Sequence, residues 1–305
     1  MTDTTLDQAR QSIAVGSKSF AMASRFLPAG MHEDCVMLYA WCRHADDVID
    51  GQEAGFANGA AHDPAARLAE LRDLTHRALR GDAAAPVYAG LARVTAARDI
   101  PHRHVDELLD GFAMDVEGRV YHSLGDLLDY CYHVAGVVGV MMARIMGARD
   151  EPVLDRASDL GLAFQLTNIA RDVIDDARIG RTYLPRDLLA AEGIDAIDPD
   201  DLLQRAALHR VALRLLDEAE TYYRSADVGI AALPRRPALA IAAARNIYRQ
   251  IGVKLRTTGP DAWNGRLSTT KNEKLRLAAK AAAGTILSPR RGAVPVSRDG
   301  MYTRP

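Results

Sequence analysis

Apolar residues recur three and four positions apart through most of the chain, the period of an amphipathic helix. No run alternates apolar and polar residues between hairpin turns of the Asn-Gly or Asp-Gly kind. The pattern predicts helices near 6–14, 18–26, 32–50, 64–80, 84–99, 103–117, 123–146, 151–177, 199–231, 237–257 and 271–287. Punctuation supports several ends: Ser123 with Asp126 forms a capping-box pair, Pro101 and Pro152 mark helix starts, and Gly180 follows a helix end. The fold class expected is all-α. Residues 1–288 read as one domain, and 289–305 as a disordered basic tail. The glycine- and alanine-rich stretch Gly51 to Pro64 reads as a surface loop beside an acidic cluster.

Two helices depart from the usual wide polar face. In Gln165 to Pro185, Gln165, Asn168, Asp172 and Asp176 share one face while their neighbours are apolar or small. In Asp34 to Asp50, Tyr39, Arg43, Asp46 and Asp50 do the same, flanked by Val36, Met37, Leu38, Ala40, Trp41 and Cys42. The tetrapeptide DVID occurs in both, at 47–50 and 172–175, and each copy is extended into a D-x-x-x-D pair: Asp46 with Asp50, Asp172 with Asp176. Unpaired carboxylates in apolar surroundings are costly, and carboxylates four apart on a helix repel one another. Divalent cations relieve both costs. Magnesium binds through one or two carboxylates plus substrate phosphates, so two facing pairs suit a metal cluster with a diphosphate between them. Arg43, Arg171, Arg181, Tyr183, Lys18 and Ser19 are candidates to complete the phosphate shell. The small residues of 130–147, YCYHVAGVVGVMMARIMG, allow close helix approach or leave room for a hydrocarbon.

Composition narrows the field. A formal net charge of -2 gives no reason to expect nucleic acid as a partner. Cys35, Cys42 and Cys131 have no CxxC spacing and read as buried free thiols of a reducing cytoplasm. The N-terminus lacks the apolar core of a signal peptide, and the apolar run Val134 to Met142 is about half of what a spanning helix needs. A cytoplasmic protein is expected, with peripheral attachment to the inner membrane face through a lipid product and the basic C-terminal end, where eight basic residues meet two acidic ones between Lys271 and Pro305. His102-x-His104 follows Pro101 and reads as an exposed helix start rather than a metal site.

The runs YCYHVAGVVGVMMARI (130–145) and Leu160 to Pro185, with GSKSF (16–20) and YAWCRHADDVID (39–50), resemble the signature segments of the squalene and phytoene synthases. The resemblance spans about residues 10 to 285 and keeps all four motif aspartates; GFAMDV (111–116) and LGLAFQLTNIARD are most similar to the bacterial C20-using members. It implies a single-domain isoprenoid synthase bundle around a deep central cavity. It also implies a prenyltransferase: Mg²⁺-dependent head-to-head condensation of two geranylgeranyl diphosphates, through a cyclopropyl diphosphate, to phytoene in carotenoid biosynthesis. Mn²⁺ is the other metal considered, and NADPH is not expected. By this match, Asp46, Asp50, Asp172 and Asp176 bind metal and diphosphate, Asn168 joins them as a metal ligand and Gln165 supports it. Lys18, Ser19, Tyr39, Arg43, Arg171, Arg181, Tyr183 and Arg266 contact substrate, and Tyr248 joins the catalytic set. Two alternatives stay open: a squalene or dehydrosqualene synthase using C15 farnesyl diphosphate, and a non-catalytic member acting as an assembly or lipid-carrier protein.

Overall fold

The computed structural model describes residues 18–51, 63–287 and 296–305, with side chains described from residue 21 and up to 284 within the flanking helices. The expected helix at 6–14 and most of the loop from Gly51 to Pro64 lie outside the described residues. Among those described there are only helices, turns and irregular segments. In chain order the helices are α1 (Lys18–Ala23), α2 (Ala29–Ile49), α3 (Pro64–Leu79), α4 (Pro86–Arg98), α5 (His102–Val116), α6 (Leu124–Cys131), α7 (Val137–Ile145), α8 (Glu151–Arg178), α9 (Arg186–Ala191), α10 (Arg205–Ala232), α11 (Arg235–Thr258) and α12 (Lys271–Leu287). The short α9 lies in a stretch for which no helix is predicted, because six residues are too few to show a period.

Local chemistry explains the boundaries. Ser123 and Asp126 form the expected capping box at the start of α6. Pro152 occupies the first turn of α8, where its missing N–H costs nothing. Gly180 takes a left-handed φ of 75° two residues past the end of that helix.

The long α8 is the axis of the bundle. It packs most extensively on α10 and also on α7 and α11. Its buried positions Leu162, Leu166, Ile169, Ala170, Val173 and Ile174 belong to the main core with Trp41, Tyr222 and Tyr223. Close packing of α8 on the preceding hairpin depends on glycine: a Cβ at Gly161 would stand 2.3 Å from the Ala135 carbonyl oxygen, and one at Gly139 2.3 Å from that of Ala157. Between α6 and α7 the chain widens into a π turn, Tyr132–Gly136. Such turns are frequent at functional sites, and here Val134 and Ala135 face the cavity described next.

Residues 296–305 overturn part of the tail expectation. They dock on the bundle through Arg298, Tyr302 and Arg304, so this stretch is ordered, and its two arginines are paired with carboxylates instead of being free for anionic lipid. His104 is also corrected: it is 1% exposed and sits 2.9 Å from Glu107, which in turn accepts from the Tyr132 hydroxyl at 2.7 Å.

Candidate active site

A cavity of about 410 Å³ runs along α8 between α2, α5, α7, α10 and α11. One end is polar, with Tyr39, Arg43, Asp46, Asp115, Gln165 and Asn168 on its wall; the remainder is lined mainly by apolar residues such as Leu108, Val138, Met142, Leu160 and Phe164. Tyr248 lines it too, stacked on Phe164 with ring centroids 4.3 Å apart. The apolar stripe of each helix therefore builds a hydrocarbon-sized channel, and the polar stripe closes one end.

At that end arginines and carboxylates interlock. Arg43 reaches Asp46 at 2.9 Å and Asp47 at 2.5 Å. Arg181, just past α8, donates to Asp50 at 2.9 Å and thereby ties the two acidic helices together. Tyr183 donates to Asp115 at 3.0 Å and stacks on Tyr130, whose hydroxyl donates to the other oxygen of Asp115 at 3.0 Å. Asp115 also feels the charges of Arg181 and Asp50. It is a further carboxylate of this end, and in the sequence it appears only within GFAMDV, with no acidic partner four residues away to single it out.

The electrostatics match the cost anticipated from the sequence. Burial, then the neighbouring Asp50, pushes the Asp46 carboxyl up to about 6. Burial, then Asp172, pushes Asp176 up to about 7. Burial also raises Asp115, with Arg181, Tyr183 and Tyr130 opposing it. The site is short of positive charge even with its arginines in place. Asn168 adds a buried Oδ1 that accepts no hydrogen bond, while its amide lies 3.5 Å from Gln165. An all-oxygen donor set with excess negative charge and an unsatisfied carbonyl fits a hard divalent cation. Among the described residues, no three His, Cys, Asp or Glu side chains converge as a ready-made cage.

The structure does not put every expected residue on this cavity. Arg171 forms a bidentate pair with the adjacent Asp172 rather than with Asp175 one turn on. These two face a second, polar pocket of about 490 Å³ with Arg266 and Arg205. Trp263 positions that pocket by donating from Nε1 to the Ala170 carbonyl at 3.3 Å. Arg266 is thus beside Asp172 but around the side of α8 from the hydrocarbon channel. The side chains of Lys18 and Ser19 lie outside the described residues. Of the cysteines, Cys35 and Cys131 are buried as expected, whereas Cys42 is half-buried on the cavity wall, its thiol pushed up to about 12 by burial and by Asp46. Among the described residues no helix is long and apolar enough to cross a membrane.

Comparison with known proteins identifies the family. The family model described as squalene/phytoene synthase matches residues 13–273. A 15-cis-phytoene synthase of Paracoccus sp. is 55% identical over 97% of this chain and 96% of its own length. That of Pantoea ananas is 50% identical over 98% of both chains. Among solved structures, a ligand-bound dehydrosqualene synthase superposes with a TM-score of 0.78 at 26% identity, covering 92% of this chain and 95% of that one. The squalene synthase HpnC from Alicyclobacillus acidocaldarius, at 24% identity, shares the fold with a TM-score of 0.72 over 84% of this chain and 94% of its own. The chain belongs to the squalene/phytoene synthase family.

Proposed function

We propose that this protein is a prenyltransferase that condenses two geranylgeranyl diphosphates head to head into phytoene. The observation that carries the reading is one channel with mainly apolar walls, whose acidic and amide-rich end holds Asp46, Asp115, Gln165 and Asn168, with Asp50 tied in through Arg181. The naming of the bacterial relatives at 50% and 55% identity supports the C20 substrate. A C15-using enzyme is the competing reading, and its support is the more distant dehydrosqualene synthase.

In this reading Asp46, Asp50, Asp176 and Asn168 would hold Mg²⁺ or Mn²⁺, and Asp172, which pairs with Arg171 on the neighbouring pocket, would join them. When bound, the ions supply Lewis-acid polarisation of the diphosphate leaving group and a template for it. Arg43, Arg181 and Arg171 bind phosphate oxygens by charge-assisted hydrogen bonds, and Lys18, Ser19, Tyr39 and Arg266 complete the substrate contacts. Departure of the first diphosphate leaves an allylic cation. The double bond of the second substrate attacks it, a cyclopropyl diphosphate forms with loss of one proton, and a second ionisation with rearrangement and loss of a second proton yields the hydrocarbon. The apolar wall excludes water, which would quench the cation. The stacked rings of Phe164 and Tyr248 offer faces that tolerate positive charge. Because the product is a hydrocarbon, delivery to a membrane surface follows. The paired Arg298 and Arg304 do not contribute to that contact.

The test is mass analysis of products from purified protein with C15 or C20 diphosphate, each with and without Mg²⁺ and NADPH. A C40 hydrocarbon from the C20 substrate, dependent on metal and indifferent to NADPH, is expected. A C30 product made in preference would overturn the assignment, and no turnover with either would favour a non-catalytic carrier.

A further inference from the structure

The first half of α8 carries Glu151, Asp155 and Asp159 at successive intervals of four, a single acidic stripe. Segment 296–305 lies along it. Arg298 grips Asp159 with two bonds of 2.9 Å and approaches Asp155 at 3.4 Å. Arg304, its side chain 8% exposed, bonds Asp155 at 2.6 Å and pairs with Glu151. Tyr302 donates to Asp129 at 3.0 Å and its ring lies on Tyr132. A surface ion pair alone contributes little, but Asp159 is 1% exposed and Arg298 is the arginine that grips its carboxylate.

The same stretch of α8 presents Val153, Arg156, Ala157 and Leu160 to the hydrocarbon channel. Arg156 is the charged residue on this apolar part of the wall. It lies twelve positions before Asn168, about 18 Å down the helix from the polar end. Its guanidinium is held out of the lumen: Nη1 donates to the Ser225 hydroxyl at 2.9 Å and Nη2 to the Val296 carbonyl at 2.7 Å. Ser225 is itself bonded to Asp159. The Arg156 clamp and the Arg298 grip therefore meet at one carboxylate. Opposite, a Cβ at Gly229 would stand 2.7 Å from Arg156 Cβ, so α10 is packed against α8 here without slack. Arg156 is the longest side chain that α8 places on this part of the wall.

We propose that Arg156, clamped by segment 296–305, forms the floor of the hydrocarbon channel and sets the upper limit on prenyl chain length. The inference rests on the prenyl-diphosphate reading above. With its acceptors in place, Arg156 offers its aliphatic stem to the end of a substrate chain and keeps its charge outside the lumen. Without Val296 and the Arg298 anchor, a guanidinium donor is left unpaired and the floor loses its fixed position.

The experiment supplies C20 and C25 prenyl diphosphates together with Mg²⁺ and measures the ratio of their kcat/KM values and the product masses. The variants are Arg156→Ala, the double Arg298→Ala/Arg304→Ala, and the double Arg298→Lys/Arg304→Lys. Wild type is expected to exclude the C25 substrate. Arg156→Ala should raise the C25 to C20 ratio by about tenfold or more, the scale on which added methylenes are discriminated in an apolar pocket. The double alanine variant should move it the same way, and the lysine pair should return it toward wild type. A loss of stability alone would lower both rates together and leave the ratio unchanged. A ratio within twofold of wild type in either alanine variant that folds overturns the proposal. If neither folds, Arg156→Met, which keeps an apolar stem, decides by the same ratio. A wild type that makes no C40 hydrocarbon from C20 diphosphate overturns the functional reading itself; one that makes it while the variants keep their ratio overturns only the role of Arg156.

Discussion

Arg181 donates to Asp50 across 2.9 Å, joining residues 131 positions apart at the mouth of the channel. The pair fastens the segment after α8 to the end of α2, and Arg181 also acts electrostatically on Asp115 and Asp176. Arg181→Ala is expected to lower kcat/KM for the prenyl diphosphate by about tenfold to a hundredfold, the scale of a lost charge-assisted hydrogen bond of about 1.5–3 kcal/mol. Arg181→Lys should recover part of it, because the charge returns without the planar fork. Steady-state kinetics of the three proteins check this, and wild-type kinetics in the alanine variant would count against a substrate role.

Asp172→Ala and Asp50→Ala each remove one carboxylate of a D-x-x-x-D pair. Each is expected to reduce turnover by more than about a hundredfold, since metal-borne stabilisation of a leaving group contributes several kcal/mol. Raising Mg²⁺ should restore part of the loss in both. Turnover within twofold of wild type in Asp172→Ala would rule out the proposed clamp.

In metal-free protein the carboxyls of Asp46, at about 6, and Asp176, at about 7, stand above the ordinary value of 3.8. The folded state holds these protons more tightly than the unfolded chain, so stability falls as pH rises from about 4 through 7. The contribution is full below pH 4 and lost above pH 7. Asp176→Asn is therefore expected to melt higher than wild type at pH 8 in chelator and to lose that advantage at pH 4. Melting curves at the two pH values decide it, and adding Mg²⁺ at pH 8 should narrow the gap.

Gly161→Ala tests the close approach of α8 to the π turn. The added Cβ would meet the Ala135 carbonyl oxygen at 2.3 Å, a backbone atom that a rotamer change cannot clear. Destabilisation of about 1–3 kcal/mol, typical of overpacking, is expected in chemical denaturation. Gly125→Ala, where a Cβ would meet only the Ser123 hydroxyl at 3.6 Å, is the matched control.

Asp115→Asn keeps the hydrogen-bonding outline toward Tyr130 and Tyr183 but removes a charge that both Arg181 and Asp46 feel. Substrate affinity is expected to change more than the melting temperature, and the pH at which activity rises should move down as the Asp46 carboxyl is freed of a like charge. An unchanged pH profile with unchanged KM would leave Asp115 a purely structural residue.

The period of apolar positions carried the helix assignments because an amphipathic helix must turn one face inward wherever it packs. Asp46, Asp50, Asp172 and Asp176 stood out for the same local reason: a carboxylate stripe on an apolar helix is an electrostatic cost visible within one helix. Asp115 showed no such cost, since it is a lone carboxylate at the end of α5 and only folding brings Tyr130, Tyr183 and Arg181 to it. The tail misled for a related reason. Its arginines look like a solvated basic end until Glu151, Asp155 and Asp159, more than 130 positions away, are seen along the face they cover.

What the sequence determined by itself is the all-α class, the two acidic stripes and the family signature, each set by residues within a few helical turns of one another. Tertiary structure alone decided which stripe residues reach the channel, that Arg171, Asp172 and Arg266 face a separate pocket, and that Arg156 lines the channel while bonded to segment 296–305. These depend on how α8 is rotated and how closely its neighbours approach. Packing of all the helices together sets both quantities, and no single stretch of chain encodes them.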